Sequence, residues 1–169
     1  MSIWSIIKSL KYRQLKSAFF LFLKKPLYLY PTLKATVNAY RGSQREFPKT
    51  HYLNGKGNAF RHAFWNMMLC KECSKWTTDN DIAIAWAKTI TDWHEELSPN
   101  KPLDKAMDLH NNEVGRELFK ELNAKSAKPK VNMLIDSLKE KLKSSFKAET
   151  ISEMDANKEA LVYIRELNE

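Results

Sequence analysis

The 169-residue chain is poor in glycine and cysteine, with four of the first and two of the second. Cys70 and Cys73 cannot build the disulfide framework of a small secreted scaffold. Glycine occurs only at 42, 55, 57 and 115, and the one Asn-Gly pair, Asn54-Gly55, lacks strongly alternating flanks. A hairpin-rich β fold is thereby excluded. Long apolar runs are also missing. The longest, residues 18–23, has six residues, far short of the ~20 that span a bilayer. No charge precedes Lys8 and no small-residue cleavage site follows the first apolar stretch, so no signal peptide is expected. The expectation is synthesis in the cytoplasm, with any action at a target-cell membrane requiring a specialised secretion system.

Acid is almost absent from the first fifty residues, which hold seven Lys and three Arg against Glu46 alone. The formal net charge of +8 therefore belongs to an N-terminal arm, and the remaining 119 residues, with 18 bases and 19 acids, are close to neutral. A neutral body argues against a nucleic-acid-wrapping domain and leaves an arm able to touch phosphate.

What the chain has in quantity is apolar residues at helical spacing, and the fold expected is all-α: a multi-helix domain with a central buried helix. Residues 3–23 read as one amphipathic helix, and Pro26 and Pro31 then interrupt the chain. Tyr28, Leu29, Tyr30, Leu33, Val37 and Tyr40 suggest a short second helix, with a loop at 41–57. The division expected is an arm at 1–40 and a helical domain at 41–169. Asn58 is placed to cap a helix over about 58–73 that is apolar nearly all round and so central. Asp79 or Asn80 caps a helix over about 81–97, and further helices lie at about 103–123 and after Pro129. The tail, about 150–167, reads as helix, with residues 161–164 equally suited to a short strand.

Three of these helices carry a histidine together with other polar groups. In the first, Asn58, His62 and Asn66 lie four apart in an otherwise apolar cylinder, and Arg61 and Trp65 form a parallel pair. In the second, His94 shares the inward line of Ala87, Ile90 and Thr91, and Glu95 lies one step round. The simpler reading there is a solvated helix end. In the third, His110 and Asn111 sit on the apolar stripe while Asp108, Asn112 and Gly115 form a neighbouring strip. Asn, Asp and Gly within a helix oppose local propensity, which is expected where function overrides it. Gly115 implies that a backbone or ligand comes close.

Buried Arg, His and Asn must be hydrogen-bonded, so a structural network is the plainer account of each segment alone. Taken together, His62, His94, Glu95, Asp108 and His110 offer enough N and O ligands for zinc or calcium. The other chemistry is a histidine base oriented by a carboxylate, with Arg61, Asn111 or Asn112 steadying an anionic oxygen. Asn58, Asn66 and Trp65 would line the substrate. Cys70-Lys71-Glu72-Cys73 is a lone CxxC closing a buried helix and reads as two core thiols. The arm, with Trp4, Phe19, Phe20, Phe22, Lys24 and Lys25, has the composition of a helix lying on an anionic membrane. The plainer alternative is a helix packed on the domain with its lysines in water.

The segments Asn58-Ala59-Phe60-Arg61-His62-Ala63-Phe64-Trp65-Asn66, His94-Glu95 and Met107-Asp108-Leu109-His110-Asn111-Asn112-Glu113-Val114-Gly115-Arg116 resemble an uncharacterised bacterial domain family over about residues 50–125. That resemblance implies short stand-alone proteins or the C-termini of toxin-like secreted proteins. Arg61-His62 is also weakly similar to the catalytic helix of prokaryotic phospholipases A2, although Ala63 stands where those enzymes carry Asp. The function expected is an antibacterial effector hydrolase acting on membrane lipid or a lipid-linked substrate, with a cognate immunity protein as partner. The alternatives are a membrane- or partner-binding module without catalysis and a metal-dependent nuclease.

Overall fold

The computed structural model describes residues 11–98, 100–126 and 128–166. Over these residues the chain is all-α apart from two two-residue strands. In order come α1 (Tyr12–Lys24), a 3-10 turn at Pro26–Tyr28, α2 (Leu29–Glu46), α3 (Lys56–Cys73) and α4 (Asn80–Leu97). They are followed by α5 (Pro102–Lys125), α6 (Val131–Lys143), β1 (Phe146–Lys147), α7 (Ile151–Ala156) and β2 (Val162–Tyr163). The strands pair in parallel, Phe146 with Val162 and Lys147 with Tyr163. The tail therefore divides into a short helix and a strand.

Helix α3 is the centre, packed by α2, α4, α5 and α6. Phe60, Phe64, Met67, Met68 and Leu69 are all fully buried, each contributing about 1.5–3 kcal/mol. Packing, more than helix propensity, thus holds α3 in place. Its start differs from the expected cap: the helix begins at Lys56 with Gly55 as N-cap, and Asn58 uses its side chain elsewhere. Asp79 does cap α4, its side chain accepting from the Asp81 amide at 2.8 Å. Cys70 and Cys73 are fully buried thiols, as expected of core residues.

Two expected boundaries shift. Residues 41–46, expected in a loop, belong to α2, because Gly42 and Ser43 pack inward beside Ala35 and Ala39. The domain boundary expected at 40 consequently falls inside a helix whose buried face is part of the main core. Ahead of it α1 has no buried residue. Its inner side rests Phe22 edge-on against Trp86, 5.6 Å between ring centroids, and offers Ser17 to the Trp93 indole at 2.8 Å. Its outer side leaves Phe19 62% and Phe20 54% exposed. Trp4 lies outside the described residues. Among those described, no helix is long and apolar enough to cross a membrane.

Candidate functional site

The polar strip of α3 meets the polar strip of α5. Asn58 donates to Asp108 Oδ1 at 3.4 Å, and Asn66 donates to Asn112 Oδ1 at 2.7 Å. Between them the two backbones nearly touch. A Cβ added to Gly115 would lie 2.3 Å from the carbonyl oxygen of Ala63. The close approach implied by Gly115 is therefore one of backbone to backbone. Asn66 Oδ1 in turn accepts from Arg116 at 2.9 Å and from Thr91 on α4 at 3.3 Å. This web ties the three histidine-bearing helices together from behind.

In front of it His62 sits between two carboxylates from different helices. Its Nδ1 is 3.7 Å from Glu95 Oε1 on α4, and its Nε2 is 3.2 Å from Asp108 Oδ1 on α5. Glu95 is 1% exposed, which overturns the solvated helix end: the side chain turns into the core where α4 closes on α5. Asn100 donates to both acids, to Glu95 Oε2 at 3.3 Å and Asp108 Oδ2 at 3.2 Å. The Arg61 Nη2 atom lies 2.6 Å from His62 Nε2. A guanidinium can only donate, so Nε2 accepts and the imidazole proton resides on Nδ1, facing Glu95.

Burial dominates the electrostatics. It pushes the Glu95 carboxyl up to about 7 against the pull of Arg61. It pushes Asp108 up to about 8, with the Glu95 charge adding to the effect. Burial and then the Arg61 charge hold His62 well below an ordinary imidazole and bring His94 down to about 4. Near neutral pH both imidazoles are uncharged and the pair of acids is held partly protonated.

Five buried side-chain polar atoms among the described residues have no hydrogen-bond partner. Four of them, Asn58 Oδ1, His62 Nδ1, Glu95 Oε1 and Asn112 Nδ2, belong to this one cluster. Such atoms are rare in folded proteins because each costs about 1–3 kcal/mol, so four together mark a place where packing was not the only demand. One ligand atom from each of His62, Glu95 and Asp108 lies within 4.8 Å of the other two. Among the described residues these three form the group able to hold a metal ion.

The cluster opens onto a cavity of about 180 Å³ lined by Thr36, Ala39, Tyr40, Arg61, His62, Trp65 and His94. Trp65 stands edge-on to His94 with ring centroids 5.2 Å apart, and its indole donates to Thr36 at 3.0 Å. His94 is thus a wall of the cavity and not a member of the carboxylate cluster.

Two expected members stand apart. His110 turns to the tail, where Nε2 meets the Ala160 carbonyl oxygen at 2.8 Å. His110 therefore stands apart from His62 and His94. Asn111 grips β2: its amide donates to Val162 O at 2.8 Å and its carbonyl accepts from Val162 N at 3.0 Å. Both lie on the face of α5 away from the cluster, because His110 and Asn111 are offset round the helix from Asp108 and Asn112. Sequence reasoning missed Asn100, Tyr40 and Thr36. Asn100 lies in the turn between Pro99 and Pro102, and the other two fall within the region read as an arm.

A helical domain whose central helix presents a buried histidine to two carboxylates, at the foot of an aromatic-walled cavity, is the class defined here. Residues 19–146 match the model of the domain of unknown function DUF6973, and the chain belongs to that family. The match contains every residue of the cluster and the cavity. No curated protein and no solved structure matches the chain.

Proposed function

We propose that this domain is a hydrolase of an anionic, partly apolar ester, a membrane lipid or lipid-linked molecule, with water activated at the His62–Glu95–Asp108 centre. The observation that carries this reading is the composition of the cavity beside that centre. Arg61, His62 and His94 line it together with Trp65, Tyr40 and Ala39, so a charged donor and two bases share a space with apolar walls. Arg61 donates to His62 and has further N–H groups to spare for a substrate oxygen. Asn112 Nδ2 offers a further donor where negative charge would develop. The exposed Phe19 and Phe20, on a helix with bases and no acids, support a lipid source for the substrate.

The test is release of product from anionic phospholipid vesicles and from lipid-linked cell-wall precursors, with Arg61→Ala and His62→Ala alongside. Turnover by the native chain at least ~10²-fold above both variants is expected. No release from any substrate, or equal release by the variants, defeats the proposal. An effector role belongs to the same reading: directed to the periplasm of a susceptible bacterium, the native chain should slow growth and His62→Ala should not. A second reading, a non-catalytic module, is favoured by the web of Asn66, Asn112, Arg116 and Thr91, which is a fully structural use of half the motif. It predicts that substitutions at His62 alter stability alone.

A further inference from the structure

We propose that His62, Glu95 and Asp108 bind a divalent transition-metal cation of the zinc or manganese class, with the amide oxygen of Asn58 as a further ligand. The purpose of that cation rests on the hydrolytic reading above, whereas its binding does not.

Three helices each contribute one of these donors, and the donor atoms lie within 4.8 Å of one another. That spacing suits ligands held at about 2.0–2.2 Å from one ion. His62 Nδ1 and Glu95 Oε1 face each other at 3.7 Å, and both lack a hydrogen-bond partner although each residue is at least 98% buried. The gap is too wide for a hydrogen bond and close to what two ligands of one cation leave between them. Asn58 Oδ1 is likewise buried without a partner, while the amide nitrogen of the same side chain is held at Asp108. Each carboxylate is oriented by an outer amide, Asn100, which donates to both acids. Outer donors of this kind fix the ligands of metal sites. Asn112 Nδ2, the remaining unpartnered atom of the cluster, is a donor and suits an oxygen of a bound substrate. One imidazole with two carboxylates and one amide is too small an oxygen set for calcium, which takes six to eight, and fits zinc or manganese.

Arg61 supplies a consequence that a purely structural network would not have. Its donated N–H occupies Nε2 of His62, which places the imidazole proton on Nδ1. A cation on Nδ1 needs that proton moved to Nε2, the atom that now accepts from Arg61. Two donors cannot share Nε2, so loading turns the guanidinium out towards the cavity. Cation and Arg61 thus compete for one imidazole, with their like charges adding to the opposition.

The experiment takes the full chain, stripped with a chelator, and titrates it with Zn²⁺, Mn²⁺ and Ca²⁺ by calorimetry, with Mn²⁺ followed also by electron paramagnetic resonance. One ion per chain is expected, Zn²⁺ tightest and Ca²⁺ weakest. Glu95→Gln and Asp108→Asn, which keep the side-chain shapes, should weaken binding by on the order of 10²-fold. Arg61→Gln should tighten it by about tenfold. Circular dichroism of each variant shows whether it is folded, and a cation-dependent rise in the melting temperature of the native chain gives an independent readout. Absence of stoichiometric Zn²⁺ or Mn²⁺ binding, equal binding by folded Glu95→Gln and Asp108→Asn, or Ca²⁺ preference overturns the inference. Binding without hydrolysis of any lipid would defeat the proposed function alone, and hydrolysis by the stripped protein would remove the cation's catalytic purpose while leaving its binding to be decided by the titration.

Discussion

Gly115→Ala opposes two effects of different origin in a single methyl group. Helix propensity favours alanine at an interior helical position by about 1 kcal/mol. Packing opposes it. The new Cβ would lie 2.3 Å from Ala63 O, 2.6 Å from Ala63 Cα and 2.8 Å from Ala63 C, all of them backbone atoms of the central helix. Neither helix can move a rotamer out of the way, so α5 must retreat from α3 by about 1 Å to reach ordinary contact. Overpacking of this kind costs about 1–3 kcal/mol, more where the obstacle is rigid. Rigid backbone puts this site at the upper end, leaving a net loss of about 2 kcal/mol. In a chain of this size that is a fall of roughly 4–8 °C in melting temperature. The same retreat separates Asp108 and Asn112 from His62, and a displacement of 1 Å at a reacting centre can cost about 10²-fold in rate. Thermal and urea unfolding of the variant, with cation titration in parallel, check both halves. A Gly115→Ala protein as stable as the native chain, with unaltered cation affinity, would refute the argument that backbone contact sets the α3–α5 spacing.

Asn111→Ala should cost about 2–4 kcal/mol, because it strips both bonds from the buried Val162 backbone; hydrogen exchange should accelerate at Val162 well before the α3 core responds. The cation-free protein should lose stability as pH rises. Glu95 and Asp108 have folded-state values raised to about 7 and about 8 from ordinary values of 4.5 and 3.8. Their contribution is therefore complete below about pH 4 and lost as pH climbs through the raised values. Melting temperatures near pH 6 and pH 8.5 test this, and Asp108→Asn should flatten the difference. Burial lifts the Cys73 thiol to about 12 and raises Cys70 also, so iodoacetamide should label neither thiol until the chain unfolds. Labelling at the rate of a free peptide would contradict the packing. Replacing Phe19 and Phe20 by Ser should leave the melting temperature within about 2 °C, since both are exposed, while reducing co-sedimentation with anionic vesicles.

Periodicity made the helices legible, and the central one above all, because an all-round apolar sequence has no stable place but the middle. The polar strips of α3 and α5 were visible as breaks in propensity, and Asp108, Asn112 and Gly115 do face Asn58, Asn66 and Ala63. What spacing could not supply was which of two inward directions a residue takes. Asn111 is as buried as Met107 and His110 is half-buried, yet both face the tail, because a helix enclosed by two partners has two inner faces. Glu95 misled in the opposite sense: a carboxylate near a helix end is ordinarily wet, and only α5 closing over it makes it dry. Asn100 gave no signal, since a turn asparagine beside prolines has a local explanation that suffices. The extent of α2 was hidden by Gly42 and Ser43, helix-weakening residues that are both buried, the smallness of Gly42 serving contact with Phe64.

The clamp by Asn111 gives the tail a mechanical role. Helix α5 carries Asp108 and Asn112 on one side and, on the other, His110 and Asn111 fastened to Ala160 and Val162. Met107 packs on that same side with Ala148, Met154 and Val162. The turn that positions the acid is therefore buttressed from the rear by a segment that never reaches the cavity. Because the family match ends at residue 146, that buttress lies outside the shared unit. Proteolytic trimming of the tail would loosen Asp108 from the side opposite the solvent opening, leaving the cavity walls whole and their floor unsupported.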